Sequence, residues 1–250
     1  MAKKFYYDSV GLLDATITAG TISPPNFSTS ASAVTNEHRI TDQSIAQSVT
    51  SFDDEDAIKI DLSSSKAVDF ILWHMSGSDA DKLQFYYSTS GTNSLVNVAS
   101  TQDGELNINW NIETFSSQSK RYWFMKAHDG TVNNITELIL GSALTFENEP
   151  DIGIATQEIF ATDLNTSLGG VEYANKRHEP KTTFQLNFSN ISSTFKDNLV
   201  SFEQDVTNFK KFVYYDDSSY HYVRLDSPIK FTEVAFQRFS ASLKLREQLS

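Results

Sequence analysis

The chain contains no cysteine. Disulfides, thiolate nucleophiles and cysteine-held zinc or iron–sulfur clusters are therefore excluded, and stability has to come from apolar burial and from assembly. Long apolar runs are also missing. No window approaches the roughly 18 residues of a membrane span, and the opening MAKKFYYD holds no run of signal-peptide length. The expectation is a chain that is made in the cytosol and stays soluble. Basic residues are scarce: 20 Lys and Arg stand against 32 Asp and Glu, a net charge of -12. No basic cluster is longer than Lys210-Lys211 or Lys176-Arg177, which argues against nucleic acid as a partner, because an acidic surface repels phosphates.

Catalytic signatures are absent as well. The five histidines, His38, His74, His128, His178 and His221, never fall at metal-ligating spacings. There is no nucleophile elbow, phosphate-cradling glycine loop or dinucleotide fingerprint. Carboxylate groups such as Asp53 to Asp56, or Asp79 with Asp81, read as solvated acidic loops. Ser78-Asp79-Ala80-Asp81 lacks the glycine and distal glutamate of an EF-hand. The expectation is a protein that is not an enzyme and uses no cofactor or metal.

What the sequence does have is alternation. Ile58, Ile60 and Leu62 alternate with Lys59 and Asp61; Ser63-Ser64-Ser65 reads as a turn before Val68 to Trp73. Leu83, Phe85 and Tyr87, then Leu106, Ile108, Trp110 and Ile112, then Arg121 to Lys126, repeat the period of two. Ile135 to Leu140 and Ala143 to Phe146 follow, and Glu147-Asn148-Glu149-Pro150 stops the pairing. Composition changes at this point. Up to Pro150 there are 9 basic and 19 acidic residues (net -10); beyond it there are 11 and 13 (net -2). Two domains are expected, residues 1–150 and 151–250.

In the second half, strands are expected at Ile152 to Phe160 and Thr182 to Phe188, followed by one helix. Its stripe is Phe195, Leu199, Phe202 and Val206, with Ser193 as N-cap. Asn208 to Tyr215 and Tyr220 to Leu225 read as a hairpin around Asp216-Asp217-Ser218-Ser219. A closing strand from Phe236 to Leu245 places Phe239, Ala241, Leu243 and Leu245 on one face. The fold class expected overall is mainly β: an N-terminal β-sandwich and a C-terminal β-sandwich or barrel with one flanking helix.

Two family resemblances accompany these patterns. IKIDLSSSKAVDFILWHMSG, LQFYYSTSG, RYWFMKA and ITELILGSALTFE resemble the galactose-binding-like jelly roll of discoidin-type modules over residues 30 to 147. That resemblance implies a jelly-roll sandwich, a scaffold in some members and a binder of sugar or lipid in others. Phe184 to Phe188, the helix from Ile191 to Phe202, the Phe-Val-Tyr-Tyr-Asp strand and the closing Leu245-Arg246-Glu247 are similar to the tail-tube-like domains of long-tailed phage tail proteins. This second resemblance implies a virion component, such as a distal tail or minor tail protein of the tail tip or baseplate. It would form a homo-oligomeric ring, hexameric with a trimer as fallback, and contact the tail tube and tail hub. In distal tail proteins the tube domain usually comes first; here the order is reversed.

Two sets of residues are singled out. Trp73, Trp110 and Trp123 are candidates for stacking on a host-surface glycan, with strand core as the competing role. Phe195, Leu199, Phe202, Phe239, Leu243 and Leu245 are the expected core of the assembly domain, whose open strand edges would pair between subunits. The function expected is a tail-tip ring protein, with a carbohydrate-binding module as the alternative.

Overall fold

The computed structural model describes residues 3–29, 40–41, 55–76, 82–100, 109–128, 132, 135–151, 155–160, 162–167, 170, 172–176, 179–207 and 209–248. In chain order these hold β1 (Lys4–Tyr6), β2 (Thr16–Ser23), β3 (Asn26–Ser28), β4 (Asp56–Met75), β5 (Lys82–Ser88), β6 (Val96–Ser100), β7 (Asn109–His128) and β8 (Ile135–Gly141). Then come β9 (Leu144–Thr145), β10 (Ala155–Ile159), β11 (Thr162–Thr166), β12 (Glu172–Lys176), β13 (Lys181–Ser192), α1 (Ser193–Val206), β14 (Phe212–Tyr215), β15 (Tyr220–Leu225), β16 (Lys230–Ala235) and β17 (Arg238–Glu247). The protein is mainly β, a jelly-roll sandwich and a second β domain with one flanking helix.

The division into units differs from the expected one. Tyr6–Ala143 form one unit; Met1–Phe5 join Leu144–Leu249 in the other. The jelly roll is thus an insertion within the domain that the opening strand begins. Charge and proline could not show this, because β1 is three residues long and carries no period.

In the jelly roll the strand order is β3-β2-β4-β7-β5-β6, with β8 also pairing β4. Two 20-residue strands, β4 and β7, run through both layers. Residues Ala57 to Asp61 of β4 pair with β2 and with Tyr122 to Lys126; residues Phe70 to Met75 pair with β8 and with Asn109 to Thr114. Register shifts between Asp61 and Lys66, and between Val68 and Phe70, let the strand turn from one layer to the other. The serines at 63–65, expected to form a turn between two strands, are this bend: Ser63 has φ 63° and its N–H donates to Asp61 Oδ1 at 2.8 Å. Ile58, Ile60, Leu62, Trp73, Phe85, Trp123, Met125, Leu138 and Leu140 meet in the core between the layers.

The other unit carries a sheet of order β10-β13-β17-β15-β14-β1-β9, with β16 also pairing β17; β11 and β12 form a separate hairpin. Phe184, Leu186 and Phe188 of β13 and Ala241, Leu243 and Leu245 of β17 are buried, as their period of two requires. The cap of α1 is Ser192 rather than the expected Ser193: its Oγ accepts from Phe195 N–H at 3.1 Å. Glu147 Oε2 in turn accepts from the Ser192 hydroxyl at 2.6 Å, which ties the segment after β9 to the helix start within the same unit. Phe195, Leu199, Phe202 and Val206 are buried. The expected closing strand is shorter at its start, because Phe236 and Gln237 form the tip of a β16–β17 hairpin.

Phe5 has no exposed surface. Its ring centroid lies 4.8 Å from Phe146, 4.8 Å from Phe202, 5.2 Å from Phe212 and 5.7 Å from Tyr214. Calorimetry should therefore show Phe5→Ala lowering the melting transition of this unit, at a cost of about 3–5 kcal/mol, with the jelly-roll transition unmoved. Equal shifts in both transitions, or none, would contradict the assignment of β1.

Candidate functional site

The three tryptophans are inside the jelly roll, at 2%, 8% and 1% exposure for Trp73, Trp110 and Trp123. Trp73 packs against Phe85, and Trp123 between Tyr87 and Phe115. Enclosed rings offer no face to a sugar, so the glycan-stacking role expected of them is corrected to core packing. The reason is the register of β4 and β7, which puts Trp73 and Trp123 on the face shared with Ile60 and Met125. Trp110 lies beside His74, whose Nδ1 is 2.6 Å from Thr136 Oγ1. Burial pushes the His74 pKa down, which keeps the ring neutral near pH 7.

What faces solvent instead is a mixed patch on the outer side of β4 and β7. Arg121 donates two hydrogen bonds to Asp61, at 2.6 Å and 2.8 Å, a planar fork that fixes both side chains. The guanidinium also sits 4.7 Å from the Tyr122 ring centroid, and Lys59 Nζ lies 5.3 Å from the Phe27 ring and 5.9 Å from that of Tyr122. The Arg121 hydrogen bond holds the Asp61 carboxyl below its ordinary pKa, against the opposing effect of burial. Gly91 makes room for Tyr122: its φ is +77°, and a Cβ there would come within 2.9 Å of the ring. Five of the nine basic residues before Pro150, Lys59, Lys66, Lys120, Arg121 and Lys126, lie on β4 and β7. Sequence reading missed this gathering, because Asp61 and Arg121 are 60 residues apart. The one available signal was Lys59 and Asp61 on the polar side of an alternating strand.

In the other unit five of the six expected core residues, Phe195, Leu199, Phe202, Leu243 and Leu245, are buried. Phe239 is only half-buried, under Lys196 Nζ at 5.0 Å. Exposed apolar surface gathers on this unit. Of seven large apolar side chains exposed among the described residues, five belong to it: Phe160 (63%), Tyr173, Phe209, Val234 and Phe236 (86%). Strand β10 sits at the end of the sheet order, exposed along Ala155 to Glu158.

The sequence matches no family model and no curated protein. Solved structures similar in part include chitosan-binding module 1 of a chitosanase/glucanase from Paenibacillus sp. IK-5, at 18% identity over 55% of this chain and 99% of that one, with a TM-score of 0.40. The CBM32-5 module of Clostridium perfringens, in complex with GalNAc-β-1,3-galactose, matches at 13% identity over 51% and 95%, with a TM-score of 0.38. A family 89 glycoside hydrolase from Clostridium perfringens matches at 21% identity and a TM-score of 0.41; 58% of this chain covers 16% of that enzyme. None of these three is a phage protein.

A lowered His74 pKa means that below about pH 6.5 the unfolded chain binds a proton that the folded chain refuses. Jelly-roll stability should therefore fall as the pH drops from 7 to 5. Urea denaturation at both values should show a larger loss in the wild type than in His74→Asn. Equal losses would mean that His74 titrates normally.

Proposed function

We propose that this protein is a non-catalytic component of a larger particle. In this reading the C-terminal unit makes contacts with further copies and other subunits, and the jelly roll is a carbohydrate-recognition module carried on it. The supporting observation is the concentration of exposed apolar side chains and an open strand edge on one unit. Phe236, at the tip of a hairpin and 86% exposed, contributes nothing to its own core. Among the described residues β10 ends the sheet order and pairs only β13, and a strand edge left without a partner is an aggregation liability unless a neighbour covers it. Ring closure removes both costs, with each contact burying on the order of 1,000 Å². The particle implied by the sequence resemblance is the tip of a phage tail, where a hexameric ring, or failing that a trimeric one, would join the tail tube and hub.

The carbohydrate role is supported by the patch on β4 and β7. Lys59 and Arg121 as donors and Asp61 as acceptor are held around the Tyr122 ring. Fixed donors and acceptors beside an aromatic ring suit a hydroxyl-rich ligand such as a host-surface glycan.

Native mass spectrometry of the full chain should give multiples of 28.1 kDa, six preferred. The double variant Phe160→Ser, Phe236→Ser should be monomeric with a melting temperature within about 2 °C of wild type, because neither ring is in the core. A wild-type chain that stays monomeric at tens of micromolar would contradict the assembly reading. On a glycan array, Tyr122→Ala should lower the bound signal about tenfold, or roughly 1.4 kcal/mol. A wild-type chain that binds no glycan would overturn the carbohydrate half alone.

A further inference from the structure

The two long strands of the jelly roll, β4 and β7, shift register between Asp61 and Lys66, and directly beyond that bend Lys66 pairs with Lys120. Like charges on directly opposed strand positions repel, so such a pair is destabilising unless an anion joins it. Among the described residues neither ammonium has a carboxylate partner, whereas those of Lys3, Lys196 and Lys244 and the guanidinium groups of Arg121 and Arg246 each have one. Lys66 is exposed and Lys120 half-buried. The Lys120 Nζ is held 4.9 Å from the centroid of the Tyr87 ring.

The surroundings favour an anion as well. No Asp or Glu occurs at 62–68 or at 114–122, in a half of the chain that holds 19 acidic residues against 9 basic ones. The two acids that flank the bend on β4 are engaged elsewhere: Asp61 accepts both hydrogen bonds of the Arg121 fork, and Asp69 Oδ1 accepts from the Ala143 N–H at 3.0 Å. Ser63, Ser64, Ser65, Ser116, Ser117 and Ser119 are exposed on the same two stretches, a supply of hydroxyl donors for an anion's oxygens. Two ammonium groups match one compact acidic group. An extended polyanion is disfavoured, because the rest of this half is acidic and repels it. Arg121 follows Lys120 directly and lies over the Tyr122 ring, so along β7 the lysine pair is continuous with the patch already described.

We propose that Lys66 and Lys120 form an anion site, which takes the acidic group (carboxylate, phosphate or sulfate) of a glycan whose sugar ring meets the patch around Tyr122. This inference rests on the carbohydrate reading of that patch and adds a charge to it: the ligand is an acidic glycan rather than a neutral one.

The test is a glycan array that carries neutral glycans beside their uronate, phosphate and sulfate counterparts, probed with the full chain. Acidic members should bind at least about tenfold more strongly than their neutral counterparts, and about 0.5 M NaCl should erase that preference by screening the lysines. The double variant Lys66→Gln, Lys120→Gln should bind acidic and neutral members alike, with a melting temperature no lower than wild type, because it removes a repelling pair. Lys66→Glu, which places opposite charges across the strands, should melt higher than wild type and lose the same preference. Tyr122→Ala should weaken both members of each pair. Equal binding of acidic and neutral members by the wild type would overturn the acidic-group proposal and leave the carbohydrate reading standing; binding of neither would overturn both. The proposal also falls if the acidic preference of the double variant stays within about twofold of wild type. Tighter binding to phosphatidylglycerol vesicles than to any acidic glycan would overturn it too, by showing a membrane as the partner.

Discussion

The C-terminal half depends on a ring supplied by residue 5. Phe5 is fully buried against Phe146, Phe202, Phe212 and Tyr214, and β1 fills the sheet between β14 and β9. A three-residue strand has no stability of its own. Its place is set by the aromatic side chains around Phe5, which come from a strand exit, a helix and a later strand. The domain therefore cannot complete its core until both ends of the chain are present. Lys4 pairs with Thr145 and Phe5 with Leu144, so the chain leaves this domain and returns to it on neighbouring antiparallel positions. A whole domain can be inserted at such a point without straining its host, because its own entry and exit need only be close together.

The two units handle their surfaces differently. The jelly roll encloses its tryptophans and holds its cations over aromatic rings, Lys59 over Phe27, Arg121 over Tyr122 and Lys120 over Tyr87. Its outer side therefore presents polar groups in fixed positions within a half of the chain that is acidic overall. The other unit buries a dense aromatic core yet leaves Phe160, Phe209 and Phe236 in solvent. Rigid polar display suits recognition of a hydrophilic ligand. Apolar side chains left in solvent suit association with protein.

How much of this was legible follows from the range of each interaction. Ile58, Ile60 and Leu62, Phe184, Leu186 and Phe188, and the stripe Phe195, Leu199, Phe202, Val206 announce themselves through local periods that the burial obeys. The continuity of β4 through Ser63 was hidden, because a bend between two layers and a turn between two strands use the same small polar residues. The tryptophans were ambiguous because an aromatic residue in a strand suits core and ligand alike, and only register decides between them. Asp61 with Arg121, and Lys66 with Lys120, are meetings across long stretches of sequence that no local pattern encodes. The placement of β1 was the least legible: three residues ahead of a change in composition gave no sign that they belong beyond it.

The most direct measurement compares two shortened chains by thermal melting. One begins at Leu144. The other keeps residues 1–6, replaces 7–142 with a short glycine–serine linker, and continues from Ala143. The paired positions on β1 and β9 predict that the linked chain melts cooperatively, while the chain without β1 lacks a cooperative transition or loses about 3–5 kcal/mol with the missing Phe5 ring. Equal, cooperative melting of both chains would show that the C-terminal domain is complete without its opening strand, and would contradict the insertion architecture.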